Sequence, residues 1–113
     1  MHAVIRTYSG SGASDLFDRL EERKSDVDGL MRSINGFIAY DLVRTDSGGA
    51  SITVCEDSAG TDESAQRARE WIATHASDIR AQEPVVAEGP VIVHVEAPAT
   101  AAVPASNPAF ATS

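Results

Sequence analysis

Apolar and polar residues alternate along several short stretches of the chain, and this period of two predicts β-strands. Four stretches carry the pattern, at residues 2–8, 37–44, 50–56 and 91–96. A glycine-bearing turn cluster at residues 45–49 joins the second stretch to the third, which predicts a hairpin. Residues 85–87 form a further short strand candidate, ended by Glu88-Gly89-Pro90.

A period of three to four residues predicts two amphipathic helices. The first runs from about Ser14 to Ile34, and Asn35-Gly36 ends it with a left-handed cap. Its apolar face comprises Leu16, Phe17, Leu20, Val27, Leu30, Met31 and Ile34. The second helix runs from Asp62 to about Ala76, with Thr61 as the candidate cap. Its narrow apolar stripe is Ala65, Ala68, Ile72 and Ala76.

The predicted order of elements is strand, helix, strand, strand, helix, strand, which is the βαββαβ order of a ferredoxin-like α+β fold. Right-handed crossovers then place both helices on one face of an antiparallel sheet. In the first strand Ala3 and Ile5 point away from Val4 and Tyr8, so both faces carry apolar groups. An uncovered apolar face usually marks an interface, and the sequence therefore predicts a homodimer formed through the sheet faces.

The length of 113 residues predicts one domain, over residues 1–96, followed by an uncharged Ala/Pro-rich tail at 97–113. The tail is expected to be disordered or laid on the surface, and the alternative is that Phe110 docks in a groove. The net charge of −8 excludes nucleic acid and anionic membranes as partners. A single cysteine, Cys55, and the absence of a signal peptide or a long apolar run predict a cytoplasmic protein.

Several runs of residues carry a family resemblance that covers residues 1–96: Arg6–Gly10, Leu16–Lys24, Asn35–Phe37, Ser51–Asp57, Ala59–Ser64 and Ala68–Trp71. In these runs the chain resembles the dimeric α/β-barrel superfamily, and within it small bacterial antibiotic-biosynthesis-monooxygenase-like proteins of unassigned function. The resemblance implies oxidation of a small aromatic or quinone-type molecule without metal, flavin or other cofactor. The alternative is a non-catalytic module that binds a small ligand, or a purely structural dimer.

Haem-degrading enzymes of the same superfamily use an Asn of the first strand together with a Trp and a His. Trp71 is similar in type to that Trp, and His75 is a loose counterpart of the His. The first predicted strand holds no Asn, and His75 follows Trp71 more closely than in that family. This departure argues against haem breakdown.

Trp71 and His75 lie four residues apart, on one helix face, and are the candidate catalytic pair. The indole would stack on a flat substrate and the imidazole would move a proton. The alternative is a packed core tryptophan beside a histidine that suits the C-terminal end of a helix.

Candidate ligand-binding residues lie on otherwise apolar strands: Arg6, Tyr8, Tyr40 and Arg44. If they converge, guanidinium and phenol groups would orient a phenolate or carboxylate. The alternative is solvation of strand edges and ion pairs with Glu56 or Asp41.

His2 and His94 are predicted to meet on neighbouring strands, with Glu96 as the only nearby third ligand. No metal-ligand spacing supports such a site, so a surface pair is expected and no metal. Cys55 precedes two carboxylates, which raise the pKa of a thiol, and it is interpreted as a small buried apolar residue.

Overall fold

The computed structural model describes residues 1–98 and contains seven elements. In chain order they are β1 (His2–Ser9), α1 (Ala13–Glu22), α2 (Lys24–Arg32), β2 (Phe37–Thr45), β3 (Gly48–Cys55), α3 (Ser58–His75) and β4 (Val85–Pro90). The predicted ferredoxin-like α+β fold is confirmed, with the first predicted helix divided in two. Of the predicted tail, only Ala97 and Pro98 belong to the described residues, and Phe110 lies outside them.

The four strands form one antiparallel sheet in the order β2-β3-β1-β4. At the centre of β1, Arg6 lies opposite Ser51 of β3 on one side and Val86 of β4 on the other. Val4, Arg6 and Tyr8 of β1 are buried, whereas Ile5 and Thr7 between them are exposed. The three helices therefore cover one face of the sheet, as the right-handed crossovers predicted.

The first predicted helix breaks at Arg23, which leaves the helical region with φ −109° and ψ 29°. The carbonyl of Arg23 accepts the N–H groups of Asp26 at 2.9 Å and Val27 at 3.1 Å, and these bonds start α2. Residues 21–26 are all polar, so this turn has no apolar side chain to hold it against the sheet. The prediction of one continuous helix was wrong for that reason.

The core lies between the sheet and the inner faces of the helices. α1 contributes Leu16, Phe17 and Leu20, and α2 contributes Val27 and Met31. Gly49 of β3 lies directly beneath the Phe17 ring, which occupies the space that a β-carbon would need. Gly36 has φ 81°, in the left-handed conformation that the sequence predicted for the turn before β2.

The helix α3 begins at Ser58, four residues before its predicted start, because Asp57 and not Thr61 caps it. The Asp57 carboxylate accepts the N–H of Gly60 at 3.2 Å. Thr61 and Ser64 are instead buried inside the helix, where each hydroxyl donates to a carbonyl three residues earlier. Because these local bonds satisfy the hydroxyl groups, small polar side chains can be buried against the sheet. A pattern of apolar residues alone does not predict such positions.

The second strand contains a bulge that changes which face Phe37 occupies. Phe37 pairs with Cys55 and Ala39 pairs with Val54, so Ile38 is an extra residue on β2. Phe37 therefore packs against the core, whereas strict alternation along β2 would place it on the same face as Ala39 and Val43. The hairpin is confirmed, with Thr45 opposite Gly48 and a two-residue turn between them.

The fourth strand is Val85–Pro90, and the predicted last strand at 91–96 is not a strand in the described chain. β1 pairs with β4 from Thr7–Val85 to His2–Pro90, so the pairing reaches the first residue of β1. The N–H of Val91 donates to the carbonyl of Met1 at 3.0 Å, and no further strand partner remains for the residues that follow. Ile92, Val93 and Val95 consequently lie exposed, Ile92 to 90%.

The second face of the sheet is uncovered and largely apolar in the described residues. Its large side chains include Ile5 of β1, Val43 of β2 and Val85 of β4, all of them exposed. Ile5 lies opposite Ile52 of β3, so the patch runs across the middle of the sheet. Among residues 1–98, none of the helices is long and apolar enough to cross a membrane.

We expect Gly49→Ala to destabilise the fold by about 1–3 kcal/mol, because the new methyl group overlaps the Phe17 ring in a packed core. Gly29→Ala in α2 is the matched control, since no atom lies within 4 Å of the added methyl group. There the helical preference of alanine should raise stability by about 0.5–1 kcal/mol. Urea unfolding of both variants measures the two effects, and equal effects of the same sign would contradict this description of the core.

Candidate functional site

Polar side chains come together on the helix-covered face of the sheet, where apolar ones would be expected. Arg6 and Tyr8 of β1 are buried there, and Tyr40 of β2 is half-buried. Ser51 of β3 lies between them. It is opposite Arg6, and it shares a face with Thr53, which is opposite Tyr40. The structure thus brings three of the four predicted ligand-binding residues to one region, and the fourth, Arg44, lies elsewhere.

Arg6 is the one cation buried in the described part of the chain, with 7% of its surface exposed. Its guanidinium carbon lies 5.8 Å from the centre of the Tyr8 ring. No ion pair within residues 1–98 joins Arg6 to a carboxylate. The arginines at 19, 23, 32, 44 and 67 all have acidic partners. A buried charge without a counter-ion is costly, so Arg6 is the strongest electrostatic signal in the structure.

An open cleft of about 720 Å³ adjoins Arg6, between β1, β4, α3 and the segment before β4; we call it the α3 cleft. Its buried floor comprises Val4, Arg6, Tyr8, Leu16 and Thr61. The rim is formed by exposed polar residues of α3 and of residues 82–83. The floor is apolar apart from the guanidinium and two hydroxyl groups, which is the usual composition of a small-molecule site.

A smaller hollow of about 30 Å³ lies deeper, between the sheet and the helices. Arg6, Tyr8, Tyr40 and Trp71 all contribute to its wall. This volume holds one or two water molecules and no aromatic ring. Trp71 is therefore close to the polar cluster, but the hollow that they share is too small for a flat ligand. On its other side Trp71 borders an open groove of about 510 Å³ that the cluster does not reach.

Arg44 lies in a separate groove of about 550 Å³ between β2 and the helices α1 and α2. Its guanidinium group contacts Asp18 at 3.0 Å and Glu21 at 3.1 Å, so its charge is balanced by two carboxylates of α1. The predicted partners Glu56 and Asp41 were therefore wrong for Arg44. Tyr40 borders this groove as well as the hollow.

Trp71 and His75 stack on one another, with ring centres 4.7 Å apart and planes inclined by 22°. Trp71 is buried in the core, and the Nδ1 atom of His75 lies 3.2 Å from the Trp71 carbonyl oxygen. The guanidinium of Arg19 donates to the His75 carbonyl and pairs with Asp78 at 2.9 Å, which fastens the end of α3 to α1. These contacts give the pair a packing role, and their catalytic role stays a prediction.

Burial raises the pKa of both tyrosines of the cluster, because a phenolate loses its hydration there. For Tyr8 the positive charges of Arg6 and Arg69 oppose the effect without cancelling it. For Tyr40 burial and the neighbouring Tyr8 together raise the pKa to about 12. Both phenols are therefore protonated at neutral pH and can donate a hydrogen bond to an anion, but they cannot accept a proton.

Three other candidates take no part in this cluster. Burial, reinforced by Asp57 and Glu63, raises the pKa of the Cys55 thiol, in agreement with its predicted packing role. His2 pairs with Glu88 at 3.0 Å and His94 with Glu96 at 3.1 Å, so the two histidines do not form the predicted pair. Among residues 1–98, no three His, Cys, Asp or Glu side chains are placed to hold a metal ion.

Arg69 is the residue of the α3 cleft that the sequence analysis missed. It lies on α3 at the rim, and no ion pair within the described residues involves it. The sequence did indicate its position, because Arg69 follows Ala65 by four residues and precedes Ile72 by three. This spacing places all three on one side of the helix, and all three border the cleft.

These features are those of a ferredoxin-like α+β fold, and two solved structures share it, so the predicted resemblance is confirmed at the level of the fold. A point mutant of MhuD, crystallised with two manganese protoporphyrin IX molecules per active site, superimposes with a TM-score of 0.60. It is 19% identical, and the match covers 85% of this chain and 98% of that one.

A second solved structure is the NE2512 protein of unknown function from Nitrosomonas europaea, with a TM-score of 0.63 and 14% identity. The match covers 87% of this chain and 93% of that one. No protein-family model and no curated protein sequence matches the chain. At these identities the likeness establishes the fold.

We expect both phenols to titrate above the value of about 10 that free tyrosine has, with Tyr40 near 12. The raised pKa means that the folded state holds the phenolic proton more tightly than the unfolded chain does. The resulting contribution to stability is complete below about pH 10 and is lost as the pH rises toward 12.

Ultraviolet absorbance of the phenolate measures both titrations, since the chain has only two tyrosines. Tyr40→Phe leaves Tyr8 alone and should remove the higher of the two transitions. A single transition at the value of free tyrosine in the folded protein would show that the polar cluster is not buried.

Proposed function

We propose that the chain binds a small, flat aromatic molecule in the α3 cleft. The observation that carries this proposal is the cleft itself, whose volume of about 720 Å³ falls in the range of small-ligand sites. Its floor combines apolar side chains with the buried Arg6 and the Tyr8 hydroxyl, which would fix the orientation of the ligand. The porphyrin bound by the MhuD mutant is also a flat aromatic molecule, which supports the same class of ligand.

Oxidation of a bound quinol-type molecule by O2 is a second candidate function. The favouring observation is that Arg6 and the protonated Tyr8 could together hold a substrate phenolate at the floor of the cleft. Neither tyrosine is a base at neutral pH, so the substrate itself would have to be acidic. Oxygen uptake with naphthohydroquinone, above the rate without protein, would support oxidation; binding without uptake would favour a ligand-binding module.

We expect Ala65→Phe to weaken the binding of naphthoquinone about tenfold or more, because the new ring fills the α3 cleft from the α3 side. Ala59→Phe is the matched control, since Ala59 is exposed in the first turn of the same helix and lies outside the cleft. Calorimetric titration of both variants and of the parent protein measures the affinities. Equal affinity in all three proteins, or no binding at all, would contradict the proposal.

We also propose that two copies of the chain associate through the uncovered faces of their sheets. Ile5, Val43 and Val85 form an exposed apolar patch there, and the exposed residues 91–95 extend beyond the end of β1 without a strand partner. Two-fold pairing would bury the apolar patch of both copies at once, and because such pairing is closed it would leave no second copy of the patch exposed. The same face carries Asp41, which lies opposite Ile52, so the pairing must leave its carboxylate in contact with water.

We expect the protein to sediment at micromolar concentration with twice the mass of one 11.9 kDa chain. Ile5→Glu should give a folded monomer, because the carboxylate lies in the middle of the apolar patch and is easily solvated in a single copy. Thr74→Glu is the control, since it adds the same charge on the exposed side of α3. A monomeric parent protein, or dimers of both variants alike, would refute this mode of association.

A further inference from the structure

Two arginines border the α3 cleft at different depths, and neither has an acidic partner among residues 1–98. Arg6 lies at the floor and is buried, whereas Arg69 lies at the rim and is exposed. Both charges act on the Tyr8 hydroxyl and lower its pKa against the effect of burial. The two guanidinium groups are therefore within electrostatic reach of one point in the cleft.

The acidic residues of the cleft are all at its rim. Asp62, Glu83 and Glu88 are exposed, and Glu88 is engaged by His2 at 3.0 Å. Solvated rim charges are screened by water and salt, whereas the charge at the floor is not. The floor is consequently positive although the chain as a whole carries a net charge of −8.

A single carboxylate matches this arrangement better than a multiply charged group. The guanidinium fork of arginine binds the planar carboxylate through two parallel hydrogen bonds. A phosphate that enters as a dianion would pass the three rim carboxylates and be repelled more strongly. The apolar lining of the cleft and its positive floor together thus define one chemical class.

We propose that the α3 cleft selects flat aromatic carboxylates, with Arg6 binding the carboxylate at the floor and Arg69 attracting it from the rim. This inference rests on the proposed function, because it names the class of ligand for the same cleft. Arg6 is the specificity-determining residue, and Arg69 assists through its charge.

The test compares naphthoate with naphthamide, which have the same ring and differ in charge. The parent protein should bind the acid about tenfold more tightly than the amide or better, as hydrogen bonds to a charged group require. Arg6→Gln should abolish this preference, and Arg69→Gln should reduce it. Arg67→Gln is the control on the same helix and should leave the preference unchanged, because Arg67 pairs with Glu63 at 2.8 Å outside the cleft.

The outcomes separate this inference from the proposed function. Equal binding of acid and amide would overturn the carboxylate preference and leave ligand binding in the α3 cleft intact. Binding of neither probe would overturn both. If Arg67→Gln lowers the preference as much as Arg69→Gln does, or if inorganic phosphate displaces naphthoate at equal concentration, the assignment to Arg6 and Arg69 is wrong. Arg69 is exposed, so its variant remains informative even where Arg6→Gln alters the core.

Discussion

The sheet has helices on one side only, and this determines which side chains of the molecule are enclosed and which are exposed. Because side chains alternate along each strand, every second residue of β1 is enclosed by the helices and the residues between them face outward. The face that a residue occupies is set by its position in the strand and not by its own polarity, because a one-residue shift of register would move every apolar side chain of the strand to the wrong face. The same constraint encloses Arg6 beneath α3 and leaves Ile5 exposed on the other side.

Arg6 would be a poor choice for a residue that only fills the core. An apolar side chain at this position would pack against Val4, Tyr8 and Leu16 without bringing a charge away from water. The carboxylates of the chain are numerous, yet within the described residues none is placed beside Arg6 to form an ion pair. The remaining source of a counter-charge is the α3 cleft, and this links the burial of one side chain to the binding of an anion.

Periodicity was sufficient for the class of fold, since the first three strands, the hairpin and the order of elements follow from apolar residues spaced by two or by three to four. It failed where local contacts override the pattern. Arg23 interrupts the first helix because residues 21–26 lack an apolar anchor, and the extra Ile38 turns Phe37 toward the core. β4 takes residues 85–90 rather than 91–96 because β1 begins at His2, which is opposite Pro90. This is a constraint of register that no single strand reveals.

The candidate site was partly predictable for a similar reason. Alternation on β1 placed Arg6 and Tyr8 on one face, but only the packing of α3 decides that this face borders a cleft. Arg44 has an equivalent position on β2, yet α1 supplies Asp18 and Glu21 to neutralise it. Arg69 was missed because only the apolar residues of this helix were used to predict its inner face. The spacing of Arg69 from Ala65 and Ile72 nevertheless places it beside those apolar residues.

The arrangement also separates the chemistry of the cleft from that of Trp71 and His75. Arg19 donates to the carbonyl of His75 and the indole is enclosed by core residues, so these are packing contacts, and the catalytic role of the two rings stays a prediction. The ionisable groups at the floor of the α3 cleft are a permanent cation, Arg6, and a phenol, Tyr8, that keeps its proton at neutral pH. Such groups stabilise an anion that is already present but do not create one. A ligand that enters as a carboxylate satisfies this site directly, whereas oxidation of a neutral quinol would require a base that the floor of the cleft does not contain.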